Sequence, residues 1–143
     1  MTDKAFQVAS TSLDDCRRDI AAGKIQRWEV VKWGITLHIA VVGASSLPGQ
    51  SFWFLLTLSI MISIVSWALV RHYNSRTTDA RKTAVTVVEW LTNNGVDYEA
   101  ITKIKSKEAY ATGESYDKFE LRAFAIILGM PPLIAFVWWY LGR

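Results

Sequence analysis

The feature that most constrains this chain is a run of 19 residues without a charged side chain, residues 52–70 (FWFLLTLSIMISIVSWALV). At about 1.5 Å per residue a helix of this length covers roughly 28 Å, close to the bilayer hydrocarbon thickness of about 30 Å. A helix that is apolar on every side needs apolar surroundings on every side. We therefore predict that this run crosses a membrane.

A second uncharged run of the same length lies near the C-terminus, at residues 123–141 (AFAIILGMPPLIAFVWWYL), and its centre holds Gly129, Pro131 and Pro132. Because proline has no backbone N–H, carbonyls one turn earlier lose their helical partners. Lipid supplies no hydrogen bond, so these carbonyls need a donor from another helix, from water or from a local kink. We predict a membrane span that is kinked at these residues.

A third, shorter apolar run precedes both, at residues 33–47, and contains 15 residues. It reaches full bilayer thickness if residues 30–32 are also embedded and the amine of Lys32 extends to the interface. Pro48 and Gly49 end the run and begin a short uncharged connection. The first two spans are therefore expected to form a helical hairpin.

The lysine and arginine residues beside these spans lie on one side, except for Arg143 after the third span. Those before the first span are Arg17, Arg18, Lys24, Arg27 and Lys32, those after the second are Arg71, Arg76, Arg81 and Lys82, and those before the third are Lys118 and Arg122, whereas the connection between the first two spans has none. By the positive-inside rule, the N-terminus and residues 71–121 are expected in the cytoplasm. The predicted fold is an all-α, multi-pass integral membrane protein with three transmembrane helices, an amphipathic N-terminal helix and a helical cytoplasmic insertion. The predicted segments are residues 1–32, 33–70, 71–121 and 122–143.

The N-terminal segment is expected to contain an amphipathic helix over residues 12–32 that enters the membrane. Ser12 is a good candidate for its N-cap, and residues 1–11 are expected to be flexible. A helix of this kind rests on the membrane surface or on a partner protein.

The segment after the second span shows a further helical stripe, over residues 78–93. The second span is expected to run directly into this helix, which Asn94 and Gly95 then end. Beyond it, residues 97–111 fit either a short helix that ends at Gly113 or a segment that contains a strand.

The cytoplasmic segment is too short to form an independent core of ordinary stability. We therefore predict that its apolar stripe packs against other copies of the chain or against a soluble partner, with self-assembly as the simpler choice. Ala40 and Ala44 in the first span are four residues apart, which is the spacing of small residues in a helix-packing motif. The predicted contacts between copies are Ala40, Ala44, Ala84, Val87, Val88 and Leu91.

No motif for catalysis is found in the sequence, and an enzyme is not expected. The single cysteine, Cys16, excludes an internal disulfide and a multi-cysteine metal site, and no cofactor or metal ligand set is predicted. The net charge of +3 comes without a basic stripe interleaved with aromatic residues, so a nucleic-acid partner is not expected. The expected partners are the lipid bilayer, other copies of the chain and a soluble protein at the cytoplasmic helices.

Four polar residues inside the predicted spans are the candidate functional residues. His38 is an ionisable residue within a span, which suggests a proton relay or pore lining, although a neutral ring bonded to a neighbouring helix is the alternative. Ser59, Ser63 and Ser66 are spaced four and three residues apart, so they share one helix face. That face either lines a water path in an oligomer or permits close helix packing.

The order of these elements resembles two groups of small bacterial membrane proteins. The resemblance covers roughly residues 12–95: a charged N-terminal helix (LDDCRRDIAAGKIQRWEVVKW), a short hairpin through Val70 and a helix that starts near RHYNSRTTDARK. This layout looks like the SLATT-type pore-forming effectors of phage defence, which carry two membrane helices. It is also similar to the RipA-like small membrane proteins, which assemble into rings. The resemblance implies an oligomeric protein of the bacterial inner membrane without an active site.

The function predicted from these features is a homo-oligomeric pore or membrane-perturbing protein, with either the serine face or the third span lining its centre and antiviral defence as one setting. Three helices of one chain cannot enclose an aqueous channel, so a pore would require several copies in a ring. The alternative is a non-conducting scaffold or accessory subunit that recruits a soluble partner through its cytoplasmic helices.

Overall fold

The computed structural model describes residues 3–45, 47–96 and 107–141, and these form three helices with no strand. Helix α1 is Asp3–Ala44, α2 is Phe52–Asn93 and α3 is Lys107–Leu141. The predicted all-α class is thus confirmed for the described part of the chain. The alternatives for residues 97–106 lie outside the described residues. Gly113 lies inside α3, so the prediction that a helix ends there is wrong.

Helix α1 begins earlier than the sequence predicted. Ser12 lies in its interior, so the N-cap prediction is wrong, as is the expected flexibility of residues 3–11. The reason is tertiary packing. Ala9 continues the stripe of Leu13 and Cys16 toward the N-terminus, and all three are buried in one core.

Helix α2 has 42 residues and continues from the predicted span into the predicted cytoplasmic helix, as expected. It ends as predicted at Asn94 and Gly95. Gly95 has a φ of 77°, and its N–H donates to the Thr92 carbonyl at 3.0 Å. The Val96 N–H donates to the Leu91 carbonyl at 3.2 Å, which completes a Schellman motif.

The chain divides into two units, which we name by their composition. The polar unit consists of Met1–Ile25 and Tyr73–Phe119, and the apolar unit of Gln26–His72 and Glu120–Arg143. Each contains segments of all three helices.

The core of the polar unit forms between the first part of α1 and the last part of α2. Its buried residues are Ala9, Leu13, Cys16, Ala84, Val88 and Leu91. At Gly23 the two helices approach so closely that a Cβ would overlap the Thr77 hydroxyl. The apolar stripe of residues 78–93, predicted to pack against other copies or a soluble partner, therefore packs against α1 of the same chain.

The core of the apolar unit joins all three helices. Val31 of α1, Val70 of α2, and Phe124 and Leu128 of α3 form one buried cluster. A Cβ at Gly34 would lie 2.7 Å from Leu128 Cδ2 and 3.0 Å from Ser66 Oγ, so α1 packs tightly against both neighbours here.

Two of the described helices are long and apolar enough to cross a membrane: α2 and, within α3, Lys118–Leu141. Only 22% of the most apolar stretch of α2 is buried, and 11% of that of α3. These helices therefore present most of their apolar side chains outward. The predicted first span, residues 33–47, is not one of the two.

Candidate functional site: a polar clasp between three helices

The four candidate polar residues of the spans all turn toward the interior of the apolar unit. His38 lies on α1 and is only 4% exposed; Ser59 and Ser66 on α2 are also buried, and Ser63 between them is half-buried. The three serines share one face because their spacing follows the helical repeat. The structure brings this face against α1 and α3 of the same chain.

Ser63 occupies the centre of this arrangement. Its hydroxyl donates to the backbone carbonyl of Leu128 on α3, with an oxygen–oxygen distance of 2.6 Å. In an uninterrupted helix the N–H of residue 132 would donate to this carbonyl, but Pro132 has none. A side chain of α2 therefore supplies the hydrogen bond that the proline removes. Helix α3 remains helical through Gly129, Pro131 and Pro132.

His38 connects α1 to the same serine. Its Nδ1 lies 2.6 Å from the Gly34 carbonyl oxygen, and its Nε2 lies 3.1 Å from Ser63 Oγ. A carbonyl oxygen can only accept, so we assign the proton of the neutral ring to Nδ1. Nε2 is then an acceptor that faces the Ser63 hydroxyl.

The single hydroxyl proton of Ser63 has three acceptors within reach. They are the Leu128 carbonyl at 2.6 Å, the Ser59 carbonyl at 3.1 Å and His38 Nε2 at 3.1 Å. The shortest of these distances belongs to Leu128, whose carbonyl lacks its backbone donor. We call the Gly34 carbonyl, His38, Ser63 and the Leu128 carbonyl the polar clasp. It links α1, α2 and α3.

The hydrogen bonds of the polar clasp join three packed helices. A serine beside a histidine forms part of a nucleophilic site, but such sites also need a third group that orients the histidine, usually a carboxylate. Here the backbone carbonyl of Gly34 takes that position. Among the described residues no cluster of three His, Cys, Asp or Glu side chains could hold a metal ion.

The outward faces of the same helix segments are apolar. The exposed hydroxyls of Thr36 and Thr57 donate to backbone carbonyls of their own helices, four residues earlier, at 3.0 and 2.8 Å. Large apolar side chains cover the rest. Among the exposed ones are Ile35, Ile39, Val42, Leu58, Met61, Ile64, Val65, Ile126, Met130, Leu133 and Ile134. Of the two alternatives for the serine face, this arrangement favours helix packing.

The six residues predicted to form contacts between copies differ from one another in burial. Ala84, Val88 and Leu91 are buried against α1 of the same chain, so the reason for assigning them to an oligomer no longer applies. Val87 is half-buried and lines an open apolar groove of about 600 Å³ with Val8 and Trp90. In the first span Ala40 is exposed and Ala44 is half-buried, and their role between copies remains a prediction.

Two features of the apolar unit were missed by the sequence analysis. One is the close contact at Gly34, which a glycine inside an apolar helical run could have indicated. The other is an ion pair between Arg27 and Glu120, whose Nη2 and Oε2 atoms lie 3.2 Å apart. Their side chains are 0% and 11% exposed. From the sequence, Arg27 is only one of several cations that precede the first predicted span.

Cys16 is buried in the core of the polar unit. Burial raises the pKa of its thiol above the usual value, and the nearby Asp19 and Asp15 carboxylates raise it further. An inert, protonated thiol is therefore expected, consistent with a packing role.

Comparisons with protein-family models, with curated proteins and with solved structures find no match to this chain. The resemblance to pore-forming effectors and ring-forming membrane proteins remains an expectation from the layout of the sequence.

Proposed function

We propose that this protein is a non-conducting membrane scaffold, in which the apolar unit is embedded in the bacterial inner membrane and the polar unit recruits a soluble protein in the cytoplasm. The observation that carries this proposal is the direction of the side chains. Polar groups of the predicted spans face each other inside one chain, and apolar groups face outward. Such a unit is solvated by lipid without a second copy.

The same observation weighs against the pore hypothesis. A ring of copies needs one polar face per chain directed at its centre, and the serine face is occupied by contacts with α1 and α3. A pore would therefore have to be lined by another surface or would require the polar clasp to open. Homo-oligomerisation remains a prediction that the scaffold does not require.

We place three spans in the membrane, with residues 30–47 as the first. Two observations support this arrangement. Val31 belongs to the same buried cluster as residues of the other two spans. The exposed ammonium group of Lys32 lies 2.7 Å from Glu29, one turn toward the N-terminal end of this segment, as expected for a lysine that extends to the interface.

The opposite end of the apolar unit carries an aromatic cluster. Phe52 stacks on Trp139 with ring centroids 5.0 Å apart, and Trp53 contacts Trp139 edge to face at 4.9 Å. Aromatic rings of this kind favour the membrane–water interface. We place this end outside the cytoplasm, because residues 44–53 contain no lysine or arginine.

The topology can be tested with reporters fused to the C-terminus, one active only in the cytoplasm and one active only outside it. Three spans with a cytoplasmic N-terminus predict that only the second reporter is active. The same fusions after residue 96 should show the reverse result. A C-terminus in the cytoplasm would mean that only two helices cross the membrane.

The function can be tested in sealed liposomes that hold a potassium diffusion potential. The reconstituted wild-type protein should dissipate the potential no faster than protein-free liposomes, with an added ionophore as the positive control. A leak that depends on the protein would support the pore hypothesis instead. If so, replacing Ser59, Ser63 and Ser66 together by leucine would show whether that face lines the path.

Recruitment needs a separate experiment. A photo-reactive amino acid in place of the exposed Trp90, at the groove of the polar unit, should crosslink a discrete cytoplasmic protein in cells. The same group in place of Asp15, an exposed residue that does not line the groove, is the matched control. Equal crosslinking at both positions, or none at either, would contradict recruitment through the groove.

A further inference from the structure

Two exposed arginines mark one end of the apolar unit. Arg71 directly follows the uncharged run of α2, and Arg122 directly precedes that of α3. Both side chains are exposed, and among the described residues neither has an ion pair or hydrogen bond. Each therefore presents a guanidinium group with unused hydrogen-bond donors.

The other two lysine and arginine side chains that the apolar unit has near this end already have carboxylate partners. Arg27 pairs with Glu120, and Lys32 pairs with Glu29. These two pairs use both of the acidic residues in Gln26–His72 and Glu120–Arg143. Net positive charge at this end of the unit is therefore carried by Arg71 and Arg122.

The buried cluster shows that the two arginines lie at a similar height along the helices of the apolar unit. Arg71 follows Val70, and Arg122 lies two residues before Phe124, while Val70 and Phe124 belong to the same buried cluster. Trp28 lies at the same height along the helices, because its ring contacts Phe124 edge to face with ring centroids 4.9 Å apart. Its side chain is 47% exposed. Exposed tryptophan and arginine side chains at the end of an apolar helical unit are typical of the headgroup region of a bilayer.

We propose that Arg71 and Arg122 bind the phosphate groups of anionic phospholipids in the cytoplasmic leaflet. The inference rests on the proposed membrane location of the apolar unit. A guanidinium group fits a phosphate because its planar donors can form two parallel hydrogen bonds. The acyl chains of the same lipid would lie along the exposed apolar side chains of α2 and α3.

Native mass spectrometry of the detergent-purified protein tests the site. With equal amounts of phosphatidylglycerol and phosphatidylcholine, the wild-type protein should retain mainly phosphatidylglycerol. R71Q/R122Q should lose this preference, by roughly fivefold for each arginine replaced. R71K/R122K should retain part of it, since the charge remains and the planar donors are lost.

The matched control is R18Q/K82Q, which removes the same charge from exposed residues of the polar unit. It should keep the wild-type preference. Excess glycerol phosphate should not displace the lipid; displacement would assign the site to soluble phosphates. An unchanged preference in R71Q/R122Q, or an equal loss in the control, would overturn the proposal. Either result would leave the proposed membrane location of the apolar unit unaffected. Protein that stays soluble without detergent would contradict that membrane location itself.

Discussion

The hydroxyl of Ser63 donates to the carbonyl of Leu128, 2.6 Å away on another helix, which is the carbonyl that Pro132 deprives of its backbone donor. A single polar side chain in α2 thereby stabilises a proline-containing stretch of α3. His38 contacts the same hydroxyl from α1 at 3.1 Å. The polar clasp thus explains why this unit retains polar side chains among apolar helices.

Replacing Ser63 by alanine should destabilise the apolar unit by about 1–3 kcal/mol, because the Leu128 carbonyl would lose its donor in an apolar environment. Unfolding in mixed detergent micelles, followed by circular dichroism, measures this change. Ser45→Ala is the control, since that exposed hydroxyl donates to the Val42 carbonyl three residues earlier and, within the described part of the chain, makes no hydrogen bond to another helix. Equal stabilities of the two variants would contradict the assigned role.

A double-mutant cycle tests the link to the proline directly. Pro132→Ala restores the N–H that donates to Leu128, so Ser63→Ala should cost less in that background. We expect a coupling free energy of about 0.5–2 kcal/mol between the two positions. Strict additivity in the same unfolding assay would show that Ser63 acts independently of Pro132.

Replacing Gly34 by alanine should also destabilise the apolar unit, by about 1–3 kcal/mol. The added methyl would lie 2.7 Å from Leu128 Cδ2, so either the buried Leu128 side chain or α1 would have to shift. Gly43→Ala is the control on the same helix, because no atom lies within 4 Å of a Cβ there. Unfolding measurements should show that the Gly43→Ala variant is at least as stable as the wild type, because alanine has a higher helix propensity than glycine.

Replacing Glu120 by glutamine should cost about 3–5 kcal/mol, because the buried Arg27 guanidinium would lose the carboxylate 3.2 Å away. Glu29→Gln removes a carboxylate from an exposed pair with Lys32 and should have a much smaller effect. Detergent unfolding of both variants compares the two pairs under the same conditions. A similar effect of the two substitutions would mean that burial of the Arg27–Glu120 pair has no energetic consequence.

Cys16 should react slowly with iodoacetamide in the folded protein. The thiolate is the reactive form, and burial together with Asp19 and Asp15 raises the pKa of the thiol. The rate of alkylation should increase as the pH rises through this raised pKa. Below that pKa, alkylation should be faster in the denatured chain than in the folded protein. Since Cys16 is the only cysteine, total incorporation measured by mass spectrometry reports on this residue alone. Equal rates in folded and denatured protein would contradict its burial.

The local features of the fold could be predicted from the sequence because they depend on neighbouring residues. The uncharged run at residues 52–70 specifies an apolar helix by composition, and Gly95 ends α2 because it adopts a positive φ. The start of α1 could not be predicted in this way. Serine favours the N-cap position of a helix, but burial of Ala9 against α2 extends α1 to the N-terminal side of Ser12.

The amino-acid order alone places His38 and three serines within apolar runs, and the spacing of the serines puts them on one helix face. It also shows that Pro132 leaves one carbonyl without a donor, because proline has no backbone N–H. Tertiary packing is needed to show that Ser63 supplies the donor, that the serine face turns inward and that the stripe of Ala84, Val88 and Leu91 packs against α1. These outcomes depend on which helix faces lie next to each other, and periodicity within one helix carries no information about its neighbours.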